Sequence, residues 1–287
     1  MKKILVTGAN GQLGSEIKML APNYPHFDFI FTDIEDFPLD KSAVIQTNFK
    51  RIHPDIVINC AAYTAVDKAE QDQVVADAIN HLAIATLADL CTKSGAKLVH
   101  ISTDYVFDGT SPVAYKEEDD PNPKSVYGVT KLAGETACLK NCPESIIIRT
   151  AWVYSEFGNN FVKTMLRLMS ERDTLNVVND QVGSPTYAAD LAQVILTILD
   201  STRWESGIYH YSNAGEISWF DFAQDIKEIA QKTCEISGIP ASNYPTPAER
   251  PAYSLLDKSK IKAVYGIEAV NYKISLRIMM EKLLKRQ

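Results

Sequence analysis

An apolar run, a glycine-rich turn and the start of a helix follow one another within the first twenty residues. That succession restricts the fold more than any other stretch of the chain. Ile4-Leu5-Val6-Thr7 has the unbroken apolar character of a strand buried on both faces. It runs into Gly8-Ala9-Asn10-Gly11-Gln12-Leu13-Gly14, after which Leu13, Ile17 and Leu20 recur at helical spacing. Free N–H groups at a helix start of this kind, assisted by the helix dipole, suit a pyrophosphate. The glycines permit a tight turn, close approach of a ligand and close helix–strand packing. The first candidate cofactor residues are therefore Gly8, Asn10, Gly11, Gln12, Leu13 and Gly14. The spacing is Gly-x-x-Gly-x-x-Gly and not the Gly-x-Gly-x-x-Gly of the standard dinucleotide fingerprint, so a purely structural turn stays open at this point.

The alternation continues. Phe27 to Thr32 reads as a second strand, with Asp33 at its end about twenty residues past the turn, where an acid accepts hydrogen bonds from an adenosine ribose. No Arg follows there to receive a 2′-phosphate, so these residues lean towards NADH. Leu39-Asp40-Lys41-Ser42 reads as the cap of the next helix, with Asp40 beside the adenine. Asp55 to Asn59 is a third strand, and the small residues after it (Ala61, Ala62 and Thr64) let backbone approach a flat cofactor. A helix over about 71–93 leads to a fourth strand, Lys97 to Ser102, and Thr103 stands at its carboxyl end, the edge where open parallel sheets bind ligands. A polar loop follows, then a helix capped by Ser125, then a fifth strand from Ser145 to Arg149. Strand and helix in strict alternation specify an α/β fold, a doubly wound parallel sheet of Rossmann type.

Beyond residue 155 the pattern loosens. Helices are expected over 160–172 and 189–199, strands at Leu175 to Val178 and from Gly207, and a helix start at Ser218. Pro245 to Pro251 is a rigid loop carrying Arg250, and an amphipathic basic helix closes the chain. The expected division is a dinucleotide-binding domain over residues 1–155, with 175–200 returning to it. Residues 156–174 and 201–287 then form a smaller C-terminal substrate-binding lobe.

The net charge of −7, without any block of Lys or Arg, argues against a nucleic-acid or anionic-membrane partner. Five cysteines without a Cys-x-x-Cys, and five histidines without ligand spacing, give no metal site and point to reduced thiols. With no secretory leader and no apolar run of membrane-spanning length in view, a soluble cytoplasmic protein is expected.

Tyr127 and Lys131 stand at i and i+4 on their helix, so both side chains leave one face. An ammonium beside a phenol lowers the phenol pKa, and such a pair exchanges a proton with a carbonyl oxygen or an alcohol. One Tyr-x-x-x-Lys arises by chance in a chain like this, so its weight rests on its surroundings.

Those surroundings have a fixed order: the glycine turn after strand one, small residues after strand three, Thr103 after strand four, and Tyr127-x-x-x-Lys131 on the next helix. In this the chain resembles the extended short-chain dehydrogenase/reductase family along nearly its whole length. Thr7 to Gly14, Asn59 to Glu70, Ser102 to Gly109, Asp180 to Thr186 and Arg250-Pro251 narrow the resemblance to members that reduce the C4 ketone of a dTDP-activated 6-deoxyhexulose.

The resemblance implies Tyr127 as general acid and Lys131 as the group that tunes it and holds the nicotinamide ribose. It implies Thr103 as hydrogen-bond partner of the ketone oxygen. Asp104, Trp152, Thr186 and Arg250 would lie on the substrate side, with Arg250 at the diphosphate. Either NADPH or NADH is implied as cofactor, with homodimers and an interface Mg2+ in some members. Related 4,6-dehydratases carry Asp-Glu after the Thr; here Thr103-Asp104 is followed by Tyr105, so elimination of water is not expected. A 4-epimerase reuses the same Tyr, Lys and Thr, and a regulatory subunit of methionine adenosyltransferase resembles the same group without turnover. Both stay open as alternatives.

Overall fold

The computed structural model describes residues 1–285. Six parallel strands form the main sheet in the order β10-β5-β4-β3-β1-β2. They are β1 (Lys2–Thr7), β2 (Phe27–Phe31), β3 (Ile56–Asn59), β4 (Lys97–Thr103), β5 (Ile146–Thr150) and β10 (Gly207–His210). β1 pairs with β2 on one side and with β3 on the other, so the strand order reverses between β1 and β3. The crevice at the carboxyl end of that switch point is where such sheets bind ligands. Ile4, Val6, Ile58, Val99 and Ile148 are fully buried, each contributing about 1.5–3 kcal/mol by leaving water.

Helices cover both faces. On one side α1 (Gln12–Leu20) packs on α8 (Ala188–Asp200), with Leu13 and Ile17 against Leu191 and Ile195. On the other lie α2 (Ser42–Ile52), α5 (Ala83–Ser94) and α6 (Val126–Asn141). Two short helices, α3 (Val66–Ala69) and α4 (Gln73–Asp77), lead into α5 through a π-helical turn at Ala78–Leu82. The run Gln73–Ser94 is long and apolar enough, by length and composition, to cross a bilayer, which the sequence reading passed over. Here its Ala83, Ile84, Leu87, Ala88 and Cys91 belong to the core against α2 and α6. The expected side-chain cap before α2 is also absent: Lys41 occupies the N-cap without a side-chain bond, and Asp40 is exposed.

The second lobe is built on short pairings: β6 (Val153–Tyr154) with β9 (Thr186–Tyr187), β7 (Thr174–Val178) with β12 (Glu235–Ile239), and β8 (Val182–Gly183) with β11 (Ile217–Ser218). Helices α7 (Phe161–Glu171), α9 (Trp219–Ile229) and α11 (Tyr272–Leu284) enclose its core, while α10 (Ser259–Tyr265) buries Ile261 against the main sheet. Two strands exchange the places expected from sequence. β10, assigned by sequence to the lobe, pairs with β5, because Tyr209 and Tyr211 are buried in the first core beside α8. β7, assigned to the nucleotide-binding unit, pairs with β12 and buries Leu175 and Val177 in the lobe core.

A buried polar cluster joins the two parts. Ser155 donates to Glu16 Oε1 on α1 at 2.6 Å, and Tyr187 donates to Glu156 Oε2 at 2.9 Å. Lys282 on α11 donates to the Tyr187 hydroxyl and lies 3.7 Å from Glu156. Burial, reinforced by the neighbouring Glu156, pushes the Glu16 carboxyl up to about 7. Its folded pKa exceeds the unfolded one, so its contribution to stability is complete below the unfolded value and is lost as pH rises through about 7. Glu16→Gln keeps the hydrogen bonds and removes the titration. Its melting temperature should gain on wild type by a few degrees between pH 6 and pH 8; an equal difference at both pH values would show that Glu16 does not titrate there.

Candidate active site

The turn after β1 is shaped by backbone contact. Gly8 has φ +64, and a Cβ there would stand 2.7 Å from the Ala61 nitrogen; one on Gly14 would stand 2.3 Å from the Gly8 oxygen. Side chains at either position would break the packing of the β1 turn on the β3 loop. Gly11 is the N-cap of α1 and no side chain caps that helix, so its first N–H groups face the crevice with a ligand's position before them. Asp33 Oδ2 accepts from the Asn10 N–H at 2.6 Å, which sets the carboxylate beside the turn. Ala61 abuts Gly8, Ala62 is half-buried and Thr64 is exposed on the same loop. Gln12 reaches the other way: its amide donates to the Val153 carbonyl and accepts from Asn160 at 3.0 Å. A cradle without Cβ atoms, an uncapped helix start and an acid at the end of β2 fit a dinucleotide.

The second half of the site lies at the ends of β4 and β5 and on α6. Ser125 caps α6 by accepting from the Gly128 N–H. A Cβ at Gly128 would lie 2.2 Å from the Tyr105 carbonyl, so the Tyr127 turn sits directly against the turn after β4. Thr103 Oγ1 donates to Asp104 Oδ1 at 3.0 Å and accepts from the Tyr105 N–H at 3.2 Å. Asp104 is buried, one of its carboxylate oxygens has no partner, and burial pushes it up to about 6.

The spacing argument had Lys131 lowering the phenol pKa. In the folded chain burial dominates and pushes Tyr127 up to about 12, with Thr103 pulling the other way. Lys131 directs its ammonium to the Ile101 carbonyl at 2.6 Å and is itself pushed down to about 8 by burial. Position i+4 on a helix says nothing about the solvent each group loses, which is why the sign was misread. A phenol near 12 holds its proton throughout the physiological range and so serves as a filled proton donor.

One helical turn further, Glu135 makes a bidentate pair with Arg149 on β5, at 2.9 and 2.7 Å. Both are buried. Arg149 also lies 5.0 Å from the Phe107 ring and contacts His210.

The expected substrate-side residues separate. Trp152 follows β5, two residues past Thr150, which is in register with Thr103. Thr186, on β9, is fully buried, and its hydroxyl accepts from the Thr150 hydroxyl at 3.2 Å. Arg250 forms a bidentate pair with Asp67 on α3, at 3.0 and 2.7 Å, and Tyr105 lies between this pair and Tyr127. Arg250 also borders a cavity of about 560 Å³ in the lobe, walled by Phe161, Trp219 and Tyr244, with Arg172 and Asn176 as polar groups. Asp67 and Tyr105 fall within the quoted motifs but carried no site assignment from sequence, and Trp219 was read only as part of a helix start; the partners that bring Asp67 and Trp219 to the site are remote in the chain. All five cysteines are free. Among the described residues no group of three or more His, Cys, Asp or Glu side chains gathers where an ion could sit.

The comparisons agree with this geometry. A family profile described as RmlD substrate binding domain matches residues 1–285. A dTDP-4-dehydrorhamnose reductase of Sinorhizobium fredii is 41% identical, covering 98% of each chain. The crystal structure of a dTDP-4-dehydrorhamnose reductase from Clostridium acetobutylicum superposes with TM-score 0.94 at 41% identity, over 98% of this chain and 99% of that one. A Bacillus anthracis dTDP-4-dehydrorhamnose reductase in complex with NADP gives TM-score 0.93 at 36% identity, over 98% and 99%. Profile, sequence and structure coincide over essentially the full length, and the chain belongs to the dTDP-4-dehydrorhamnose reductase family of the extended short-chain dehydrogenases/reductases.

Proposed function

We propose that this protein is an NAD(P)H-dependent oxidoreductase that reduces the C4 ketone of dTDP-4-dehydro-β-L-rhamnose to give dTDP-L-rhamnose. The reading is supported by Thr103 at the end of β4 and Tyr127 and Lys131 on α6, together with a turn after β1 whose glycines have no room for a side chain. Nicotinamide supplies hydride when bound. Gly8, Asn10, Gly11, Gln12, Leu13 and Gly14 hold its pyrophosphate, Asp33 the adenosine ribose, and Ala61, Ala62 and Thr64 line its path, with Asp40 towards the adenine. Tyr127 gives its proton to the ketone oxygen, Thr103 donates a hydrogen bond to that oxygen, and Lys131 holds the ribose and supplies positive charge as the phenolate forms.

The lobe cavity suits an activated sugar: aromatic walls for a base, and the Arg172 and Arg250 guanidiniums for phosphate oxygens. Asp104 and Trp152 border the hexose, and Thr186 supports β5 from behind. A soluble, cytoplasmic enzyme working as monomer or homodimer fits the small-molecule substrate.

The test is a panel of nucleotide-activated keto-sugars with NADH and NADPH, the product identified by NMR. Stoichiometric NAD(P)H oxidation with the dTDP-4-keto-L-sugar is expected, and Arg250→Ala should raise KM for that substrate about tenfold or more, as loss of a charged phosphate contact does. Tight cofactor binding with no oxidation by wild type would point to a regulatory subunit. Inversion at C4 without net NAD(P)H consumption would point to an epimerase.

A further inference from the structure

Trp152 is held in an unusual way. Its φ is +48, a left-handed conformation that a bulky side chain rarely adopts. Two lobe residues contact the indole. Gly183 comes so close that a Cβ there would lie 3.0 Å from ring atoms Cε2 and Cζ2. The Trp219 ring stacks on it at a centroid distance of 3.6 Å and 13° from parallel. Trp219 is in turn backed by Phe161 at 4.6 Å.

The clamp is anchored by backbone. β11 pairs with β8, opposing Ser218 to Val182 and Ile217 to Gly183. Ser218 then starts α9 with a capping box to Asp221, which fixes Trp219 as the first helical residue. The Trp152 carbonyl accepts from the Thr186 N–H at 3.2 Å.

Trp152 lies two residues beyond Thr150, the end of β5 that is in register with Thr103. Ser254 packs at the same place: its Oγ would be 3.0 Å from a Cβ on Gly183. Trp219 also walls the lobe cavity that Arg250 borders.

We infer that Trp219 is a positioning residue: by stacking on Trp152 it holds that ring in its strained conformation and so sets the fit of the hexose between Tyr127 and the lobe cavity. This rests on the nucleotide-sugar reading above. Without the stack the Trp152 ring loses its aromatic partner, and the sugar loses a fixed wall. The glycine contacts that shape the cofactor cradle do not involve Trp219.

The test compares wild type with Trp219→Ala, Trp219→Phe, Trp152→Ala and the double variant. Two indoles in parallel contact give an exciton couplet in far-ultraviolet circular dichroism, expected in wild type and abolished by every one of these substitutions. Trp219→Ala should raise KM for the dTDP-4-keto-sugar roughly tenfold, with KM for NAD(P)H unchanged. Trp219→Phe, which keeps a stacking ring, should fall between. The double variant should be no worse than Trp152→Ala alone, because Trp219 acts through Trp152. Additive losses would mean that Trp219 meets the substrate by itself, and an unchanged KM in an active Trp219→Ala would end the inference alone. A rise in both KM values would mark general loss of structure and also overturn it, unless Trp219→Phe restores the cofactor value while the sugar KM stays raised. A wild type that reduces no activated keto-sugar would end the functional reading and this inference together.

Discussion

Tyr127→Phe should lower kcat for ketone reduction by about 10²–10⁴, equivalent to roughly 3–5 kcal/mol of barrier, while NAD(P)H still binds. The substitution removes one oxygen from a half-buried ring whose neighbours, Tyr105 and the α6 backbone, are unchanged. The expected loss is therefore chemical and leaves the fold intact. Stopped-flow oxidation of NAD(P)H measures the first quantity and cofactor fluorescence titration the second. A rate within tenfold of wild type would remove Tyr127 from the role of acid without touching the fold.

The pH dependence follows from the same burial. Tyr127, pushed up to about 12, keeps its proton across the usual assay range and contributes no limb there. Lys131, pushed down to about 8, loses its charge within it, so kcat/KM should fall as pH rises through about 8.

Glu135→Ala is the substitution with the largest expected effect on stability. The Glu135–Arg149 pair is almost wholly out of water. Removing one member of a buried pair leaves the other charge uncompensated and costs about 3–5 kcal/mol, which for a domain of this size is on the order of 10 °C in melting temperature. His210 offers no replacement, because burial and the Arg149 charge hold its imidazole neutral, down to about 3.

A second readout separates this from simple loss of packing. Glu135 raises the Lys131 pKa against the pull of burial, so in the variant the alkaline limb of kcat/KM should move below 8. An unchanged limb would show that Glu135 supports only the fold. A melting temperature within a degree or two of wild type would show that Arg149 finds another partner.

Much of this was legible in the residues. Five strands of the main sheet, the glycine turn, the Ser125 cap and the shared helix face of Tyr127 and Lys131 all rest on short-range rules: period, turn geometry and hydrogen bonds between near neighbours. The same rules set the order in which cradle, Thr103 and Tyr127 arrive at one sheet edge, and that order carried the family resemblance.

Other features depended on the packed chain. β10 joins β5 because Tyr209 and Tyr211 find a core built by α8, and no window of sequence around Gly207 contains that core. Arg250 meets Asp67, and Trp219 meets Trp152, across long stretches of chain. Thr186 matched a substrate-side motif and yet is fully buried behind Thr150. The phenol of Tyr127 moved opposite to the direction argued from its lysine neighbour, because desolvation outweighs a charge that points elsewhere. The sequence by itself determined which groups reach the edge of the sheet and in what order. Their water, their partners and hence their protons were decided only when remote segments closed over them, since burial is a property of the assembled chain and of no local stretch.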